Sequence, residues 1–68
     1  MTEIIFLVEE DVEGGYAARA LNHSIFTDAE TWDELKAMIQ EAVICHFEPE
    51  DRPKLIHLHM VRDEVIPA

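Results

Sequence analysis

TDAETWDELKAMIQEAVICHF, Thr27 to Phe47, is the one segment of this 68-residue chain long and periodic enough to predict a helix. At about 100° per residue, Trp32, Leu35, Ile39, Ala42, Val43 and His46 fall on one side, with Met38 at the edge of the stripe. Asp33, Glu34, Gln40, Glu41 and Glu48 project the other way, so the helix has one face for a core and one for water. Thr31 followed by Glu34 fits a capping box, and Asp33 and Glu34 stand where the helix dipole favours negative charge. Thr27 with Glu30 forms a competing box one turn earlier. Pro49 forces the stop near Glu48.

Working outward from the helix, Glu3 to Glu9 carries Ile4, Ile5, Phe6, Leu7 and Val8, a run that predicts a first strand with both faces at least partly covered. Glu10-Asp11-Val12-Glu13-Gly14-Gly15 follows, and two glycines able to take positive φ make it a hairpin turn. Tyr16 to Leu21 returns as a second strand, Asn22-His23 forms a tight connection, and Ser24 to Thr27 is long enough for a short third strand. After the helix, Glu48 to Arg52 is a charged turn bounded by Pro49 and Pro53, and Leu55 to Ile66 predicts a long final strand. The order is β-β-β-α-β. The expected fold class is α+β: two layers, with one helix packed across an antiparallel meander and the far sheet face left open. Ala17, Ala18 and Ala20 make part of that sheet low in relief, a surface suited to a symmetry mate.

A chain this short is expected to form a single domain over residues 1–68, burying only about 60% of its unfolded surface. Hydrophobic residues nevertheless make up 49% of it, which points to a homodimer in which a second chain covers apolar surface. Fifteen carboxylates against five basic side chains give a formal charge of −10, unsuited to a polyphosphate backbone and suited to a basic protein partner. The lone cysteine, Cys45, rules out a disulfide within the chain, and no basic-then-apolar leader follows Met1, so a cytoplasmic location is expected. The apolar run Ile4 to Val8 is far short of the ~20 residues that cross a bilayer.

From Val8 to Phe47 the acidic hairpin, Gly-Gly-Tyr-Ala at Gly14 to Ala17, Phe26-Thr27, and Glu30-Thr31-Trp32-Asp33-Glu34-Leu35 at a helix start together resemble the N-terminal domain of HicB antitoxins. The chain departs from that family's pattern at two turns. Leu21-Asn22-His23-Ser24 stands where Leu-Pro-Gly-Cys is usual, and Ala29-Glu30-Thr31 replaces Gly-Asp-Thr. Many members also carry a DNA-binding domain, for which the roughly twenty residues after the helix leave no room. The resemblance implies a partial ribonuclease-H-like sheet that neutralises a small basic HicA-type toxin, itself an mRNA-cleaving protein with a catalytic histidine. It implies no direct nucleic-acid contact and no membrane contact.

Glu9, Glu10, Asp11 and Glu13, with Tyr16 beside them, are the first candidates for partner contact; the plain alternative is a solvated turn that keeps an edge strand from pairing. Asp33, Glu34 and Glu41 on the helix form a second acidic patch. Ile44 lies about 120° from the core stripe and is a candidate dimer or partner contact.

No catalytic, cofactor-binding or metal-binding residues are assigned. His57 and His59, two apart on a strand, share a face, but a metal site needs three or four ligands and a second shell. They are read as structural or surface histidines, His46 as a core histidine, and Cys45 as a small apolar residue at a helix end that disfavours a thiolate. The first and second strands carry no internal carboxylates for two-metal hydrolysis, and Gly14-Gly15 without a following helix is no nucleotide loop, so an enzyme is not expected. A homodimeric module binding a small ligand, without catalysis, is the alternative function.

Overall fold

The computed structural model describes residues 2–62 and 64–68. Four strands and one helix occur among them: β1 (Glu3–Glu10), β2 (Tyr16–Ala20), β3 (Phe26–Ala29), α1 (Trp32–His46) and β4 (Leu55–Val61). The β-β-β-α-β order and the two-layer α+β class are as the sequence predicts.

The sheet runs β3-β2-β1-β4 and is mixed, which corrects the expectation of a purely antiparallel sheet. β1 pairs antiparallel with β2 and β2 antiparallel with β3, but β4 lies parallel to β1, Glu3 opposite Leu55 through Glu9 opposite Val61. The physical reason is the connection. β3, α1 and β4 form a crossover, in which the helix carries the chain over the sheet and delivers it in the same direction at the opposite edge.

Thr31 is the helix N-cap: its extended backbone turns the chain, and its hydroxyl accepts from the Glu34 N–H at 3.1 Å. The earlier box is unused because Thr27 is held in β3 against Ala18. Phe47 closes the helix, its N–H donating to the Val43 carbonyl at 3.2 Å. Arg52 reinforces this end, Nη2 donating to the Ile44 carbonyl at 3.3 Å, where a cation also suits the helix dipole.

Leu35, Ile39 and Val43 are buried, Trp32 and Ala42 half-buried, so the predicted stripe faces the sheet. His46 is exposed, not core as expected. The stripe outruns the sheet at that end, and the imidazole meets His23 and Phe47 edge to face, with ring centroids 5.9 and 4.9 Å away. Cys45 is exposed as well.

In β1 the alternation is strict: Ile4, Phe6 and Val8 are buried beneath the helix layer, while Ile5 is exposed on the far face. That face is therefore open, as expected of the far side of the sheet, with Leu7 partly covered on it. Ala18, Ala20 and Ile25 complete the core, and small alanines at the centre of β2 let α1 come close. The helix lies over β3 and β2. Further across, Ile56 and Leu58 of β4 are only half-buried and Met60 is 40% exposed, although all three point to the helix side. Between α1 and β4 runs a small groove of about 120 Å³ floored by Ile39, Ile56 and Leu58.

Two strand boundaries shift. β3 begins at Phe26 because Ile25 turns inward, its carbonyl accepting from Ala20 N–H at 3.0 Å after Asn22 has taken a positive φ of 67°. β4 ends at Val61, opposite Glu9 in the last turn-proximal stretch of β1. Of the expected continuation to Ile66, Asp63 lies outside the described residues and 64–66 form no strand.

Candidate partner-binding surface

The hairpin between β1 and β2 is built from its own acids and glycines. Asp11 N–H donates to the Gly15 carbonyl at 2.9 Å, Gly14 N–H donates to the Asp11 carbonyl at 3.0 Å, and the Asp11 carboxylate accepts from Glu13 N–H at 2.9 Å. Gly14 and Gly15 take φ of 103° and 92°, a region costly to side chains. Gly15 is doubly constrained, since a Cβ there would stand 2.9 Å from the Ala29 carbonyl oxygen. This close approach ties the hairpin base to the end of β3. Val12 stands fully exposed at the tip.

The predicted contact residues divide between surfaces. Glu9 faces the open side of the sheet with Ala17 and Val61 as cross-strand neighbours, while Glu10 points to the other side opposite Tyr16. Asp11 and Glu13 are exposed in the turn. Tyr16 is half-buried, its ring edge to face with Trp32 at a centroid distance of 5.5 Å, so it links the hairpin to the first turn of the helix. Ile44 is 53% exposed on the outer helix face, at the opposite end of α1 from the hairpin.

The tertiary fold adds what residue spacing did not reveal. An open hollow of about 480 Å³ lies between the hairpin, the end of β3 and the first half of α1. Asp11, Asp28, Glu30 and Glu34 stand around it, with Tyr16 and Met38 supplying apolar surface. The hairpin acids and the helix acids, two separate patches in the sequence, thus meet at one concavity through Asp11 and Glu34. Asp28 and Glu30 were missed because they flank the helix start and read as capping and loop residues. Asp33 turns away and pairs with Lys36 at 3.3 Å. With four carboxylates and no cation along its lining, the hollow can attract basic groups.

The histidine pair occupies a different region. His57 and His59 are both exposed on the open face of β4, opposite Ile5 and Leu7 of β1. His57 Nε2 lies 2.8 Å from Glu3 Oε2. Among the described residues no three His, Cys, Asp or Glu side chains of the chain converge as a metal site, and no helix is long and apolar enough to cross a membrane.

No family model matches the chain, and no solved structure matches it. Two curated proteins are similar along most of their length. A UPF0150 protein of Archaeoglobus fulgidus is 62% identical over 52 residues, covering 76% of this chain and 77% of that one. A UPF0150 protein of Thermotoga maritima is 45% identical over 64 residues, covering 94% of this chain and 90% of that one. At that identity over most of both lengths, the chain belongs to the UPF0150 family.

Proposed function

We propose that this protein is a HicB-like antitoxin that binds and neutralises a small basic mRNA-cleaving toxin of the HicA type, acting by binding and not by catalysis. The observation that carries the reading is the hollow in which Asp11, Asp28, Glu30 and Glu34 surround Tyr16 and Met38. A protein that grips RNA must display Lys and Arg, and a concave surface with acids at its margin and apolar groups within it complements such a partner. The resemblance of Val8 to Phe47 to the HicB N-terminal domain supports the same partner.

In this reading the apolar groups hold the complex and the acids set the encounter rate. Changing Glu9, Glu10, Asp11 and Glu13 to their amides should slow association with the toxin and flatten its salt dependence, because exposed charges act through a field screened within about 10 Å at 0.1 M salt. Dissociation should change less. Stopped-flow mixing with a small basic HicA-type protein, taken from a neighbouring reading frame where one is found, measures both. Rates that respond only to neutralising Asp33 and Glu41 would transfer the contact to the outer helix face. Rates insensitive to every acid would end the electrostatic account, and a neighbour that fails to bind at all would end the antitoxin reading.

The volume of the hollow also falls within the range of small-ligand pockets, which favours a cation-binding module as the second reading. A rise in melting temperature with a polyamine or a basic amino acid, and none with the toxin, would select it.

A further inference from the structure

β4 is an edge strand without the usual protection. Its seven residues, LIHLHMV, contain no charge and no proline, and its outer backbone donors and acceptors have no neighbouring strand among the described residues. In a chain with fifteen carboxylates, none lies between Lys54 and Arg62. The segment is also a palindrome in kind. About Leu58 it reads histidine on either side, then Ile56 against Met60, then Leu55 against Val61. Self-complementarity about a central residue is what a two-fold interface demands.

We propose that β4 pairs antiparallel with β4 of a second copy about a two-fold axis at Leu58, and that His57 of each chain and the partner's His59 together form an inter-subunit site for a divalent transition metal such as zinc. In this register every residue of β4 has a mate. Antiparallel pairing about an axis normal to the sheet keeps both helices on the same side, so Ile56, Leu58 and Met60 meet their apolar counterparts beside the two α1–β4 grooves. The half-exposed helix side of β4 is thereby flanked by a matching apolar surface.

On the open face each His57 stands opposite a partner's His59, with Cβ atoms about 5 Å apart, close enough for one ion to join two imidazoles while water completes its three or four ligands. Imidazole nitrogen suits zinc, nickel and copper. Glu3 supplies the supporting contact: its carboxylate can only accept, so at 2.8 Å it draws the proton to His57 Nε2 and leaves Nδ1 as the free donor atom. Within one chain the two histidines stand ~7 Å apart along the strand, and among the described residues they form no ligand cluster with a third side chain. The other charged groups on this face are Glu9 and Asp28 near its far end and Arg19 on β2, separated from His59 by Leu7.

Sedimentation equilibrium of the full chain, in EDTA and then in zinc chloride, tests the site. Zinc should raise the average mass from toward 7.8 kDa to twice that value, tightening dimerisation roughly tenfold or more. His57→Ala or His59→Ala should each abolish the response, and both side chains are exposed, so both variants should fold. Mixing the two variants should restore it, because only an antiparallel pair aligns His57 of one chain with His59 of the other. His23→Ala and His46→Ala are the controls, since those rings form a separate aromatic cluster near the helix end. The proposal falls if zinc leaves the mass unchanged, if the His23 and His46 variants lose the response instead, or if the mixed variants stay monomeric in zinc.

Discussion

At one edge of the sheet β3 is four residues long, carries Asp28, and passes within three residues into the helix that packs on it. At the other edge β4 is seven residues long, free of charge, and only half-covered on its helix side. The difference follows from how a single helix covers a sheet of four strands. Fifteen residues of α1 span about 22 Å in length but only about 10 Å in width. Four strands at nearly 5 Å spacing are wider than that. One side must be left under-covered, and the crossover fixes which: the helix starts at the end of β3, so β3 and β2 receive it and β4 does not. Burial follows. Ala18 and Ala20 on β2, beneath the helix, are almost wholly inaccessible, while on the same side of β4 Met60 is 40% exposed.

If stability is concentrated on the helix side, Leu35→Ala should cost about 2–5 kcal/mol, much of what so small a domain possesses. Leu58→Ala, half-buried on β4, should cost roughly 1 kcal/mol in the monomer. Urea denaturation of both variants in EDTA, at a concentration where the chain is monomeric, gives the ratio directly. Equal costs would mean that β4 is as well covered as β3, and the contrast between the edges would be lost.

A smaller effect sharpens the same point at the junction of β3 and α1. Thr31→Ala removes the hydroxyl that accepts from Glu34 N–H and should lower stability by about 1 kcal/mol, with Thr31→Ser restoring most of it. Thermal melts followed by circular dichroism separate these variants. Loss without rescue by serine would point to packing in place of the cap.

The smallest change is expected at exposed positions. Phe26→Thr on the open face of β3 should shift monomer stability by no more than about 0.5 kcal/mol. Val61→Thr at the end of β4 should leave the monomer equally untouched. A marked loss at Phe26, measured by the same denaturation, would reveal that the short edge is also a covered surface.

Several elements were legible in the residues because their causes are local. The core stripe through Leu35, Ile39 and Val43, the Thr31 cap and the glycine hairpin depend on neighbours within a few positions, and the structure has all three. The common face of His57 and His59 follows from strand alternation alone. His46 was misplaced because periodicity says which side of a helix a residue occupies, not how far the sheet beneath extends. The direction of β4 was partly legible: a strand, a helix and a strand in succession are a crossover signal, and treating the domain as a meander overlooked it.

Local pattern in the residues thus determined the helix, its start, the hairpin, the faces of the strands and the acidic character of the surface. Tertiary structure decided that β4 lies parallel to β1 at the far edge, that α1 covers β2 and β3, and that Asp11, Asp28, Glu30 and Glu34 share a hollow. Those outcomes depend on pairing segments from opposite ends of the chain, such as Glu3 with Leu55. The free energy of such a pairing comes from surfaces buried together, and neither segment carries that information in its own run of residues.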